Sequence, residues 1–194
     1  SAQDKEIYEL LQQANATSAR FFANAIDTET KGLDIVLTYQ DRLGAGKLRG
    51  DLSATFSKTN VVGDVHASDL LKGKESTYFD RSSRIYLESA VPRTKVNLSL
   101  NYSLNKWNVY LRNVYFGEVD AATNNVAESQ TFSGKIVTDL SFGYAFNKNI
   151  SLTIGANNLF DFYPDETKIG GNRGAGYFVY SRTGQQFGTG GRFA

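Results

Sequence analysis

From Lys95 to Ser103 apolar and polar residues strictly alternate, with Val96, Leu98, Leu100 and Tyr102 on one side and Lys95, Asn97, Ser99, Asn101 and Ser103 on the other. A period of two describes a strand with one greasy and one wet face. The pattern recurs in Leu48 to Ser57, where Leu48, Leu52, Ala54 and Phe56 oppose Arg49, Asp51, Ser53, Thr55 and Ser57, and again in Leu140 to Phe146 and Ile150 to Ala156. Amphipathic stretches of roughly 9 to 11 residues are what a transmembrane β-barrel requires.

Along the chain, Asp4 to Ala14 spaces Ile7, Leu10, Leu11 and Ala14 as a short amphipathic helix, with Asp4 as its N-cap. A strand from Gly32 to Arg42, with Leu33, Ile35, Leu37 and Tyr39 outward, turns through Gly44-Ala-Gly46 into the strand that begins at Leu48. The polar stretch Asn60 to Pro92 reads as a long loop. Thr94–Ser103 and Trp107–Phe116 then form a second hairpin around Leu104-Asn105-Lys106, followed by another loop over Glu118–Gly134. A third hairpin joins Lys135–Phe146 to Ile150–Asn157 through Asn147-Lys148-Asn149, and a glycine- and aromatic-rich segment runs from Asn158 to the end. A soluble antiparallel sandwich would show the same alternation, but it rarely combines such uniform strands with loops above about thirty residues at one end only.

In an outer membrane short turns face the periplasm and long loops face outside, which fixes the orientation of these hairpins. Tyr39, Tyr102, Trp107, Tyr144 and Phe146 lie within a few residues of the short turns and are expected to form one ring at the periplasmic membrane interface. Six strands cannot close a barrel, because single-chain bacterial barrels begin at about eight and lipid satisfies no open edge. Either the chain is part of a larger barrel or several copies close one together.

Composition removes other classes. No stretch approaches the roughly 18 apolar residues of a spanning helix, which excludes a helical membrane protein. The net charge is +1 with no basic block, so nucleic acid is not expected as a partner. The absence of cysteine excludes disulfides, cysteine-based zinc sites and thiol catalysis. The chain opens at Ser1-Ala-Gln-Asp4 without a signal peptide, so an exported protein has lost its signal or this is an internal piece of something longer.

Candidate chemistry is sparse. His66, the single histidine, sits near Ser68 and Asp69, but residues two apart in a loop have no defined geometry, and an ordinary solvated histidine is the better reading than a hydrolase. Gly44-Ala-Gly-Lys47 echoes a phosphate loop yet precedes a strand, so a hairpin turn is expected. Asp120, Asp139, Asp161, Asp165 and Glu166 lack any calcium-loop spacing. The Asn-x-Ser/Thr matches at Asn15, Asn97, Asn101 and Asn149 are read as chance, two of them lying inside strands.

The segment Asp165–Arg192 mixes Tyr177, Phe178, Tyr180 and Phe187 with Lys168, Arg173, Arg182 and Arg192 on a glycine-permissive backbone, a combination suited to stacking and anion recognition. Its other reading is a packed loop whose aromatics stabilise the final hairpin. The wet-face charges Asp34, Arg49, Asp51, Lys95, Arg112 and Asp139 are expected to form ladders between neighbouring strands.

Several segments carry a family resemblance. Asn24-Ala-Ile-Asp-Thr-Glu-Thr-Lys-Gly32-Leu-Asp34 resembles the entry to a late barrel strand of TonB-dependent outer-membrane receptors, and Val91-Pro92-Arg93 resembles the lead into another. Gly155-Ala-Asn-Asn-Leu-Phe-Asp161 is similar to their G-x-x-N-L-F-D segment near the C-terminus. Tyr180-Ser-Arg182, Gln186-Phe-Gly188 and Gly191-Arg192-Phe193 resemble the run-in to the last strand, particularly in Bacteroidetes-like members. The resemblance implies an all-β transmembrane antiparallel barrel of about 22 strands with an N-terminal plug, in the outer membrane of a Gram-negative bacterium. Residues 1–194 would then be the C-terminal segment of the barrel domain, with plug, TonB box, earlier strands and final strand absent.

It further implies energised uptake of a scarce extracellular small molecule, most commonly a ferric siderophore or similar metal chelate, and no enzymatic activity or cofactor. Partners would be the rest of the same receptor, outer-membrane lipid and, through the plug, the TonB-ExbB-ExbD machinery. In this reading Arg173, Tyr177, Tyr180 and Arg182 overhang the mouth and meet the ligand. The alternative is a non-transporting or oligomeric outer-membrane barrel, an adhesin or a pore.

Overall fold

The computed structural model describes residues 2–13, 15, 24–66, 72–73, 75–170, 179–181, 184–188 and 192–193. Helix α1 spans Ala2–Gln13. It starts two residues before Asp4, which therefore lies in the first turn and is not the cap, since Ala2 and Gln3 offer nothing that stops a helix.

Strands β1 (Asp27–Leu43) and β2 (Gly46–Val62) form the first hairpin, paired from Leu43↔Gly46 out to Asp27↔Val62. The turn is Gly44-Ala45, and the positive φ of Gly44, +60°, matches its twist to that of the strands. Both strands extend about five residues beyond the expected range at the loop end, because the ladder continues through polar pairs. The Thr30 and Thr59 hydroxyls, for example, lie 2.8 Å apart. Strands β3 (Thr94–Leu104) and β4 (Trp107–Phe116) turn at Asn105, which adopts φ 53°.

The two long connections carry structure that the alternation does not announce. The first contains the short helix α2 (Glu75–Tyr78) and helix α3 (Arg81–Ser89), and the second contains the hairpin β5 (Val119–Ala122) and β6 (Ser129–Phe132). From the sequence both stretches read as loops. Asp80 caps α3 by accepting from the Ser83 amide at 2.7 Å, a local signal easily passed over in a polar stretch. Strands β7 (Lys135–Ala145) and β8 (Ser151–Asn157) follow, joined by a turn in which Asn147 Oδ1 accepts from the amides of Asn149 and Ile150. Arg192–Phe193 form β9, paired with Asn157 and Ala156, so the sheet holds the six expected long strands and a two-residue seventh.

The main sheet is wholly antiparallel in the order β1-β2-β3-β4-β7-β8-β9. Its register lines up one apolar face, running for instance through Leu37, Leu52, Leu98, then Leu100, Leu111, Leu140 and Ala156 in the neighbouring rows. That face is open: Leu37 is 60% exposed. The fully buried cluster Val119, Ala121 and Phe132 lies in the β5–β6 hairpin, at the loop end. A sheet that leaves its apolar face uncovered while burying its loop core is built for an apolar surrounding.

One polar pair interrupts the apolar face. Asn113 and Thr138 stand directly opposite each other, the Thr138 hydroxyl donates to Asn113 Oδ1 at 2.7 Å, and the Thr138 carbonyl accepts from the Leu159 amide. Thr138 is only 7% exposed, so the polar atoms are spent on each other and shielded.

Candidate functional site at the loop end of the sheet

The long connections fold onto one another at the end of the sheet opposite the tight turns. Asp80 is the hub of the first junction: besides capping α3 it accepts from Asn124 Nδ2 at 2.7 Å, and Asn124 Oδ1 in return accepts from the Ser82 amide. These hydrogen bonds, that from Asn124 foremost, hold the Asp80 carboxyl below its ordinary pKa. Arg81 donates to the Thr123 carbonyl at 2.6 Å and to Ser129 Oγ at 2.7 Å, fastening α3 to the residue that follows β5 and to the first residue of β6. From the other end of α3, Glu88 accepts from the Val61 amide of β2. Between α3 and β5 lies a cleft of about 370 Å³, walled by Ile26, Phe79, Ile85 and Leu87 with Asp120 at one side.

The segment after β8 is tied into the same assembly. Asn158, buried and at φ 51°, closes a turn through Phe162, donating to its carbonyl and accepting from its amide. Asp165 pairs with Lys135 at 2.7 Å and accepts from the amide and hydroxyl of Ser133. Burial pushes this carboxyl up, but the hydrogen bonds from Lys135 and Ser133 outweigh it and leave its pKa below the usual value. Gln130 bridges to the Glu166 carbonyl and the Lys168 amide. Gln186 Nε2 reaches the carbonyls of Gly117, Phe132 and Ser133, and Phe187 stacks on Phe116 at 5.4 Å.

Of the residues expected to meet a ligand, Tyr180 lies in this assembly. It is half-buried, bridged to Glu166 and parallel to Tyr163 at 6.0 Å between ring centres. Arg173, Tyr177 and Arg182 lie outside the described residues. Sequence reasoning missed Asp80, Arg81 and Gln130, which join the connections, and met Gln186 only within the Gln186-Phe-Gly188 segment of the family resemblance, not as a bridge. Only Asp80 carried a signal, the Asp-x-x-Ser cap.

Beneath the assembly runs the polar face. Arg112 and Asp139 stand opposite on β4 and β7 at 3.6 Å, and Arg112 Nε donates to Asn97 on β3, so the expected ladder spans three strands. Arg49 and Asp51 pair within β2 instead, with Thr38 of β1 donating to Asp51 across the strands. Lys95 Nζ lies 5.2 Å from the centre of the Phe116 ring, near the stacked Phe187. His66 hydrogen-bonds Asp27 Oδ2 at 2.9 Å, with both groups exposed, and Ser68 and Asp69 lie outside the described residues. Asp120 accepts from Thr131, and among the described residues no three carboxylates or histidines gather as a metal site.

At the opposite end the aromatic residues share the apolar face. Trp107 and Tyr144 are cross-strand partners with ring centres 4.5 Å apart, and Phe146 meets Tyr144 edge-on at 4.9 Å. Tyr102 donates to the Leu43 carbonyl and Tyr39 to Asp41.

A family model described as TonB dependent receptor-like, beta-barrel matches residues 3–159. The chain belongs to this family. Receptors of this kind reside in the outer membrane of Gram-negative bacteria, so the open apolar face of this TonB-dependent receptor barrel meets lipid and its polar face the lumen. Among solved structures the chain is similar to one titled Copper transporter OprC, with 13% identity and a TM-score of 0.43 over 89% of this chain. The chain spans 28% of the length of that transporter. No curated protein matches the sequence.

Proposed function

We propose that the chain is the C-terminal barrel segment of a receptor that takes up a scarce extracellular ligand, with a plug and earlier strands supplied by the rest of the polypeptide. Energy would reach the plug from the periplasmic TonB-ExbB-ExbD machinery. The observation that supports this reading best is that the long connections gather at one end of the sheet into one hydrogen-bonded assembly, directly above the polar face. A receptor needs such a preorganised mouth, because loops that are ordered before binding spend less of the ligand's binding energy on ordering.

The ligand class we propose is a ferric siderophore or similar metal chelate. An anionic chelate suits the cations and phenols of the tail, Lys168, Arg173, Tyr177, Tyr180 and Arg182. The test uses the complete receptor gene in its native cell, with radiolabelled ferric siderophores. Deletion of the gene, or loss of TonB, should abolish uptake of one of them, and Arg173→Ala with Arg182→Ala in the complete receptor should weaken its binding about tenfold. Unchanged uptake of every ferric chelate would discard the ligand class. Unchanged uptake of every nutrient tested would discard transport.

A further inference from the structure

The β1–β2 register sets Lys31 directly opposite Lys58. Directly opposed side chains in an antiparallel pair have their Cβ atoms about 5 Å apart, and like charges there destabilise the sheet unless something neutralises them. Both lysines continue the apolar rows: below them the same face carries Leu33 and Phe56, then Ile35 and Ala54, Leu37 and Leu52, and Tyr39 and Gly50. The pair therefore crowns the lipid-facing band on this hairpin.

Its height agrees with that placement. Eight residues separate Tyr39 from Lys31 on β1, about 26 Å along the strand. A strand tilt near 40° reduces this to about 20 Å along the membrane normal, and the flexible lysine stems can carry the ammonium groups several ångströms further out. The sum is close to the roughly 25 Å apolar band of an outer-membrane barrel. With Tyr39 at the periplasmic boundary, the two ammonium groups stand at the headgroup level of the outer leaflet.

The local charge is incompletely balanced. Glu29 pairs with Lys31 at 2.9 Å, both side chains being largely exposed, while among the described residues no carboxylate lies within ion-pair distance of Lys58. Asn60, opposite Glu29, adds an amide on the same face. We infer that Lys31 and Lys58 form a docking surface for the phosphate of an anionic outer-leaflet lipid, whose acyl chains lie against Leu33 and Phe56. These two residues are 58% and 42% exposed directly beneath the charges. That continuity selects a lipid phosphate over a free anion, because only a lipid gains from both the cations and the apolar rows. The inference requires that the apolar face meet lipid and is independent of which ligand the receptor carries.

The experiment uses the complete receptor, stripped of lipid in detergent and titrated with diphosphoryl lipid A, bound lipid being counted by native mass spectrometry. Lys31→Gln with Lys58→Gln should weaken binding about tenfold, the Lys→Arg pair should preserve it, and Lys47→Gln on the polar face should leave it unchanged. Fully dephosphorylated lipid A should bind the unaltered receptor as weakly as diphosphoryl lipid A binds the double glutamine variant, and millimolar inorganic phosphate should not displace the lipid. Should the double variant fail to fold, Glu29→Gln provides the second test, since removing the competing carboxylate should tighten binding. Unaltered affinity in the double variant, equal binding of the dephosphorylated lipid, displacement by free phosphate, or no gain in Glu29→Gln would each overturn the assignment.

Discussion

The ring of Tyr102 occupies the space where a side chain at position 46 would stand: a Cβ on Gly46 would collide with Tyr102 Cζ. From there the phenol reaches the Leu43 carbonyl at 3.0 Å, so one residue of β3 covers the glycine and fastens the far side of the β1–β2 turn. Gly46→Ala should displace the ring and cost about 1–3 kcal/mol, the usual penalty of overpacking. Tyr102→Phe keeps the ring over the glycine, removes only the hydroxyl and should cost about 1 kcal/mol. Urea midpoints for folding of the complete receptor into lipid vesicles check the order. Equal losses in the two variants would show that the hydrogen bond, not the fit over Gly46, carries the contact.

Asp80 serves the α3 cap and the α3–hairpin junction with one carboxylate. Asp80→Ala should destabilise the helix by about 1 kcal/mol and free the loop end first, whereas Asp80→Asn, which still caps, should do less. The lowered pKa gives the sign with pH. A carboxyl whose folded pKa lies below its unfolded value, about 4, contributes fully above that value and loses its contribution as pH falls through the folded one. Asp165 behaves in the same direction. Proteolysis of the loop end, followed with an acid-tolerant protease, should therefore accelerate only below about pH 4. Acceleration already at pH 6 would point to other groups.

Gln186 offers its amide hydrogens to the carbonyls of Gly117, Phe132 and Ser133, while its buried Oε1 has no partner among the described residues. Gln186→Glu would aim a carboxylate at three carbonyl oxygens and should release the segment that carries Phe187 from Phe116. Gln186→Met, similar in volume, should be milder. Amide hydrogen exchange in β6 and in residues 184–188 reads the difference, and equal protection in both variants would show that the Phe116–Phe187 stack suffices by itself.

The strands were legible where one face is lipid and the other wet, because that contrast writes a period of two into β3, β4, β7 and the middle of β2. It was silent at Asp27–Lys31 and Lys58–Val62, where polar residues fall on both faces, only Val61 and Val62 being apolar, and pairing propagates from the apolar rows below. It was silent also at α3 and the β5–β6 hairpin, whose order comes from Asp80, Arg81 and the buried Phe132 acting between segments distant in sequence. The bridging role of the glutamines has no sequence signature: Gln186 falls in the Gln-Phe-Gly segment of the resemblance, but it and Gln130 act on backbone groups that any residue could present.

Trp107 is the sole tryptophan, which makes the height of the turn-end aromatics measurable. It stands on the apolar face, 56% exposed and against Tyr144, within one residue of the Asn105-Lys106 turn. An indole prefers the headgroup boundary, where its ring is apolar and its N–H still finds a polar partner. In the complete receptor proposed above, the measurement needs a variant in which any other tryptophan is replaced by phenylalanine. Reconstituted with lipids brominated at successive depths, its emission should be quenched most by bromine nearest the headgroup and least by bromine near the chain ends. Maximal quenching at the chain ends would lift the turns into the bilayer and with them the whole band, moving Lys31 and Lys58 above the outer headgroups. Quenching at the headgroup level places the Tyr102, Trp107 and Tyr144 row at one membrane boundary, and the β1–β2 hairpin then has the length to reach the opposite one.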